Sequence, residues 1–225
     1  MATANTDRQI VETSFPSDWT LADLQEHLGG IPLERIRLYP SPGTANVDDL
    51  KKINGRDPFL IELIDGVFVR KTTNFLDGIL TTSLIHKIYD HVWDNKLGIL
   101  LGGTAAIELL PGQIRVPDLA FYSWNRLPGR KLPTQDFAPL VPNLAIEIIS
   151  EDNTYAEMDR KRREYFQAGV RLVWYVDRIS RSLNVWRALN DVQTLKSDDE
   201  LSGEDVLPSF NLKVADLFAK LDELG

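Results

Sequence analysis

The segment Leu144-Ala145-Ile146-Glu147-Ile148-Ile149 holds a single charge in an otherwise apolar run of six residues. A run of this length without period-2 alternation reads as a strand covered on both faces, the pattern of a sheet with helices packed on each side. That excludes an all-helical chain and points to a layered α/β fold. Glu147 is the anomaly. An unpaired ionised carboxylate at such a position costs on the order of 3 kcal/mol or more, so it needs a cation, a metal or a proton.

A second acid lies upstream on a related element. Asp118 follows Val116-Pro117 and precedes Leu119-Ala120-Phe121. Pro117 has no N–H, which marks the point as a strand end, an edge or a bulge. Downstream, residues 155–168 read as a helix, with Asn153 or Thr154 as its cap and Gly169 at the position of a C′ glycine. On a helical wheel Lys161 falls about 60° from Met158, on the side shared with Tyr165, and Lys161 and Tyr165 stand at i, i+4. Two carboxylates and a lysine on neighbouring elements can hold a hard divalent cation and hydrolyse a phosphodiester. The ion takes oxygen ligands, with the backbone carbonyl of Ile148 as a natural third, and the ammonium orients water or steadies phosphate.

The rest of the chain supplies the frame. Residues 1–18 are polar and aperiodic. Residues 20–28 read as a short helix capped by Thr20, with Asp23 behind it and Gly29-Gly30 at its end, and residues 47–53 as a second, capped by Asn46 or Thr44. Residues 59–64 and 67–71 form two apolar runs around Asp65-Gly66, a hairpin signal, with Glu62 inside the first. Residues 77–95 read as a long helix opening on Asp77. Residues 99–101, 104–110 and 114–122 read as a β-meander, and residues 124–142 as a long basic, proline-bearing loop. Strands over 170–177, 182–188 and 192–195, an acidic loop over 198–208 and a helix over 214–224 complete the order. The chain divides into an arm and helical appendage (1–57), a core (58–190) and an extension whose helix packs on that core (191–225).

Composition narrows the function. No apolar run is long enough for a membrane span, and residues 1–14 lack the apolar stretch of a secretory signal. There are no cysteines, and the three histidines lie far from the acid pair, which excludes thiolate sites and disfavours a zinc site. These features fit a cytoplasmic protein. The net charge of -8 opposes non-specific nucleic-acid binding. It is unevenly spread: residues 124–187 carry 11 basic and 8 acidic residues, so that stretch is +3 and the remainder is -11.

In order and spacing, Glu62-Leu63-Ile64-Asp65-Gly66, residues 116–121, residues 144–150 and residues 161–177 resemble the PD-(D/E)xK nuclease superfamily. More closely they resemble a widespread bacterial family of restriction-endonuclease-like proteins long labelled a domain of unknown function. The resemblance covers roughly residues 58–190. It implies a restriction-endonuclease-like mixed β-sheet core flanked by helices and Mg²⁺-dependent cleavage of DNA, with Mn²⁺ as a substitute ion. Asp118 and Glu147 then match the metal-binding acids, Glu62 an early acid that can assist, and Lys161 a catalytic lysine moved onto the helix. In the superfamily's usual Glu-x-Lys the lysine stands two residues after the glutamate, where this chain has Ile149. Many nucleases of this fold dimerise to cut both strands, which implies a homodimer.

Plainer readings stand beside these. Glu147 can be a structural acid paired with Lys161 or Arg171, Asp118 a strand-end cap, Glu62 an exposed strand residue, and Asp77 a partner of the helix dipole. Arg160, Arg162 and Arg163 can form a solvated helix face, and Arg126, Arg130 and Lys131 a polar loop rather than a track for a DNA backbone. The alternative to a nuclease is a catalytically inactive module of the same fold that binds DNA or a protein partner.

Overall fold

In the computed structural model, residues 15–53, 56–134 and 136–223 are described. Two sheets dominate, one of six strands and one of four. The four-stranded sheet runs in the order β2-β1-β5-β4, with β1 (Ile61–Ile64), β2 (Val67–Arg70), β4 (Ile107–Leu110) and β5 (Gln113–Arg115). The six-stranded sheet runs β10-β9-β8-β7-β6-β3. Its strands are β3 (Gly98–Gly102), β6 (Leu119–Ser123), β7 (Leu144–Ile149), β8 (Leu172–Asp177), β9 (Ser182–Ala188) and β10 (Asp191–Leu195). Within it β7 and β8 are parallel and every other pair is antiparallel.

The parallel pair requires a crossover, and α4 (Tyr155–Ala168) provides it. Thr154 caps this helix, its hydroxyl accepting from the Glu157 N–H at 3.0 Å, and Gly169 ends it in the left-handed conformation. Alternation along β7 then sorts the core. Leu144, Ile146 and Ile148 pack with Leu80, Leu84, Ile88 and Val92 of α3 (Phe75–Asp94) and with Leu217 and Phe218 of α5 (Val214–Glu223). Ala145 packs on the opposite face with Met158 and Tyr165 of α4, and so turns Glu147 toward α4.

The expected meander over 99–122 does not form. β3 pairs with β6 in the large sheet, while β4 pairs with β5 in the small one. The single strand expected over 114–122 is therefore two strands in two sheets, joined by residues 116–118. Pro117 is the physical reason, because it cannot donate to a ladder at the crossing point. The acidic 198–208 stretch also carries more order than expected, since β11 (Glu200–Ser202) pairs with β12 (Asn211–Lys213).

The hairpin forms at Asp65-Gly66, both with positive φ (48° and 73°), as a two-residue hairpin turn requires. Its back is covered by the N-terminal segment. Thr20 and Asp23 form a capping box on α1 (Leu21–His27), and Asn46 caps α2 (Val47–Ile53) by accepting from the Asp48 and Asp49 N–H groups. Leu24 of α1 and Leu28 at its C-cap, with Ile31 and Ile36, pack on Ile64, Val67 and Val69 of the hairpin. Leu33–Arg35 form a single 3₁₀ turn before Ile36 bridges to Val69.

Candidate active site

The site lies where the two sheets meet under α4, and strand register assembles it. Leu119 stands opposite Ile146, so one further step places Asp118 opposite Glu147. In the small sheet Leu63 stands opposite Ile114, and one further step places Glu62 opposite Arg115. Chain alternation brings Lys71 in as well. It follows Val67 and Val69 on one face of the hairpin, and its N–H donates to the Leu60 carbonyl at 2.9 Å.

Five charged side chains then close on one another. Lys71 Nζ is 3.1 Å from both Asp118 Oδ1 and Glu147 Oε2. Lys161 Nζ is 3.1 Å from both Glu147 Oε1 and Glu62 Oε1. Glu147 Oε1 also accepts from the Tyr165 hydroxyl at 2.5 Å, and Asp118 Oδ2 accepts from the Ile148 N–H at 2.7 Å. The acids alternate with lysines: Asp118, Lys71, Glu147, Lys161, Glu62.

Glu62 is the innermost member. Its Oε2 accepts from Arg115 at 2.8 Å and its Oε1 from the Val116 N–H at 3.0 Å, so both oxygens are engaged by the protein. Arg115 continues to Glu164 at 2.6 Å, Glu164 accepts from Arg160 at 2.8 Å, and Arg160 reaches Asp65 at 2.6 Å. Glu62 is thus the hub of a buried ion-pair chain rather than an exposed strand residue. Burial alone would raise its carboxyl pKa, but Lys161 and Arg115 hold it well below the usual range.

The other groups divide by how well they are paired. Glu147 is pushed up by burial, yet Lys161 and Lys71 bring it below its ordinary value. Asp118 shifts the other way. Burial and the negative charge of Glu147 raise it, and a half-share of Lys71 does not compensate. Burial works against the Lys71 ammonium, but Glu147 and Asp118 together hold its pKa above the ordinary lysine range. Asp118 is also the most open acid, its side chain 18% exposed against 3% for Glu147 and 1% for Glu62. Asp77, at the start of α3, is pushed up to about 6 by burial and by Asp118, with Arg178 3.6 Å away.

The donor set fits a hard divalent ion in one respect and limits it in another. Asp118 and Glu147 aim one oxygen each at a single cation position, and carboxylate oxygens are the ligands such an ion takes. Among the described residues no group of three His, Cys, Asp or Glu side chains could hold a metal. The remaining ligands would therefore be backbone and water, as Mg²⁺ sites commonly use. The Ile148 carbonyl is well disposed for this. The Ile148 N–H faces β6, and a strand residue presents its N–H and C=O to the same neighbour. The residue opposite by register is Pro117, which offers no N–H to that carbonyl.

The structure brings Asp118, Glu147, Glu62, Lys161 and Ile148 together and leaves the expected basic contacts elsewhere. Arg162 pairs with Asp159 and stacks on Trp186, Arg163 pairs with Asp159 at 2.5 Å, and Arg171 pairs with Asp205 rather than Glu147. Arg126 donates to the Gly169 carbonyl and Arg130 lies over Trp124. Sequence reasoning missed Lys71, although its alternation with buried Val67 and Val69 marked it as inward-facing. It also missed Arg115, the partner of Glu62.

A search of curated proteins finds no match. Among solved structures, the chain resembles a protein from Anabaena variabilis described as a "putative nuclease belonging to DUF820". The TM-score is 0.66 at 18% identity, over 78% of this chain and 98% of that one, a likeness of fold. The model of the Uma2 family, described as "Putative restriction endonuclease", matches residues 47–215, the span that carries both sheets and every residue of the site, and the chain therefore belongs to that restriction-endonuclease-like family.

Proposed function

We propose that this chain is a metal-dependent endodeoxyribonuclease, using Mg²⁺ with Mn²⁺ as a substitute. The observation that carries this reading is the convergence of Asp118 Oδ1 and Glu147 Oε2 on one cation position, with the Lys161 ammonium held on the other side of Glu147. A divalent ion at that position would activate water and neutralise phosphate charge. Asp118, Glu147 and the Ile148 carbonyl would hold it. Lys161 orients the water or the phosphate. Glu62 assists from behind as a positioning residue, because its oxygens fix Lys161 and Arg115. Tyr165 fixes the Glu147 carboxylate from the α4 side.

The test is Mg²⁺- or Mn²⁺-dependent nicking of supercoiled plasmid by the full chain, with Asp118→Asn and Glu147→Gln as partners. Each variant should lower the rate by at least about a hundredfold, a magnitude typical of losing a group that stabilises charge in the transition state. Cutting by both variants at the parent rate overturns the assignment. A homodimer belongs to the same reading, since two sites would cut two strands, and sedimentation of the parent protein checks it.

One observation favours a second reading, a non-catalytic module of this fold. Glu62, Glu147 and Asp118 are matched by Lys71, Lys161 and Arg115 within the chain itself. A parent protein that retains duplex DNA in a gel shift, but nicks nothing with either ion, would select that reading.

A further inference from the structure

Lys71 occupies the position that the proposed ion would need. Its ammonium is equidistant, at 3.1 Å, from the two carboxylate oxygens that would be ligands, and it donates a hydrogen bond to Glu147 Oε2. The two lysines of the site are not equivalent. Lys161 sits mid-helix on α4, and its ion pairs go to Glu147 and the fully buried Glu62. Lys71 stands at the very end of the hairpin. Its N–H makes the last ladder contact, to Leu60, and residues 72–74 beyond it have no regular structure, with Thr73 and Asn74 exposed. Lys71 also touches Asp118, the most open of the three acids. It is therefore the lysine that reaches the most open acid, at the point where the chain leaves the hairpin.

We propose that Lys71 is a tethered ammonium that competes with the divalent ion for the Asp118–Glu147 position, so that loading the site requires Lys71 to leave it. This rests on the metal-site reading above. In the ion-free state Lys71 lies between two carboxylates that would otherwise repel one another. Binding of the ion then exchanges two charge-assisted contacts to an internal group for two to an external one. The affinity of the parent chain is lowered by what Lys71 contributes.

The experiment is calorimetric titration of Mn²⁺ into chelator-treated full-length protein without DNA, comparing the parent with Lys71→Met and Asp118→Asn. Lys71→Met should bind Mn²⁺ at least about tenfold tighter than the parent, and Asp118→Asn should lose binding. A second measurement uses the parent alone, in case Lys71→Met fails to fold. Acetic anhydride labelling read by mass spectrometry should find Lys71 protected without Mn²⁺ and several-fold more reactive with it, while Lys161 stays protected. If the parent and Lys71→Met bind Mn²⁺ equally and Lys71 labelling ignores the ion, competition by Lys71 is overturned while the metal site stands. If neither binds Mn²⁺, the metal-site reading fails and takes this proposal with it.

Discussion

The Tyr165 hydroxyl lies 2.5 Å from Glu147 Oε1, joining the helix that crosses over between β7 and β8 to the acid that interrupts β7. Both groups are buried, and burial together with the Glu147 charge pushes the Tyr165 phenol well above its ordinary pKa, so it serves as a donor throughout the working pH range. A hydrogen bond to a charged group contributes roughly 1.5–3 kcal/mol. Tyr165→Phe should lower the unfolding free energy by that amount, read as a lower urea midpoint at an unchanged denaturant slope. An unchanged midpoint would show that Lys71 and Lys161 alone satisfy Glu147.

The Glu62 hub makes a contrasting demand. Glu62→Gln keeps the shape of the side chain but removes the charge that faces Arg115 and Lys161, both buried. Breaking a buried pair from one side costs about 3–5 kcal/mol. Asp118→Asn should cost much less, because burial already disfavours the charged form there. Chemical denaturation of both variants in chelator separates the roles. A Glu62 that served only as a metal ligand would leave ion-free stability unchanged.

Gly29 marks where the N-terminal segment meets the site's helix. Its φ is +90°, and a Cβ there would stand 2.7 Å from the Glu157 backbone nitrogen in the first turn of α4. The Thr154 cap is also tied to it, donating to the Gly29 carbonyl at 2.5 Å. Gly29→Ala should therefore destabilise the fold by more than the roughly 1 kcal/mol of left-handed strain alone. Gly30→Ala, where a Cβ meets nothing within 4 Å, should show the strain term without the clash. Thermal melts of the two variants make the comparison, and equal losses would remove the close approach as a cause.

How much of this was legible in sequence follows from how local each signal is. α4 could be read to its ends because Thr154 and Gly169 act within the helix itself, and β7 because five apolar neighbours isolate Glu147. Helical phase was enough to turn Lys161 toward the sheet, where it meets both Glu62 and Glu147. Beyond the Asp65-Gly66 hairpin, pairing between strands was not legible. Alternation along 114–122 is the same whether the chain stays in one sheet or passes between two, and only Pro117 hinted at the crossing. Lys71 was missed for a related reason. A lysine closing an apolar run ordinarily turns to solvent, and what draws this one inward is two acids 47 and 76 residues further along the chain.

The buried pair of Arg35 and Glu157 gives the clearest pH dependence. Arg35 reaches from the N-terminal segment to α4, its Nη2 2.5 Å from Glu157 Oε1, and its Nε donates to the Arg70 carbonyl at 2.9 Å. Burial would raise the Glu157 carboxyl, but Arg35 holds it below its ordinary value of 4.5. A carboxylate depressed in the folded state contributes stability that is fully present above the unfolded pKa and is lost as pH falls through the folded one. The parent should therefore lose this contribution on acidification below about 4.5. In Arg35→Met the sign reverses. Glu157 is then buried without its cation, its pKa rises, and the variant weakens as pH climbs above that of the unfolded chain. The stability gap between parent and variant should narrow as the pH falls below about 4.5 and widen to about 3–5 kcal/mol at neutral pH. Urea denaturation of both proteins across that range measures it, and a gap that does not change with pH would assign the role of Arg35 to packing of its side chain rather than to its charge.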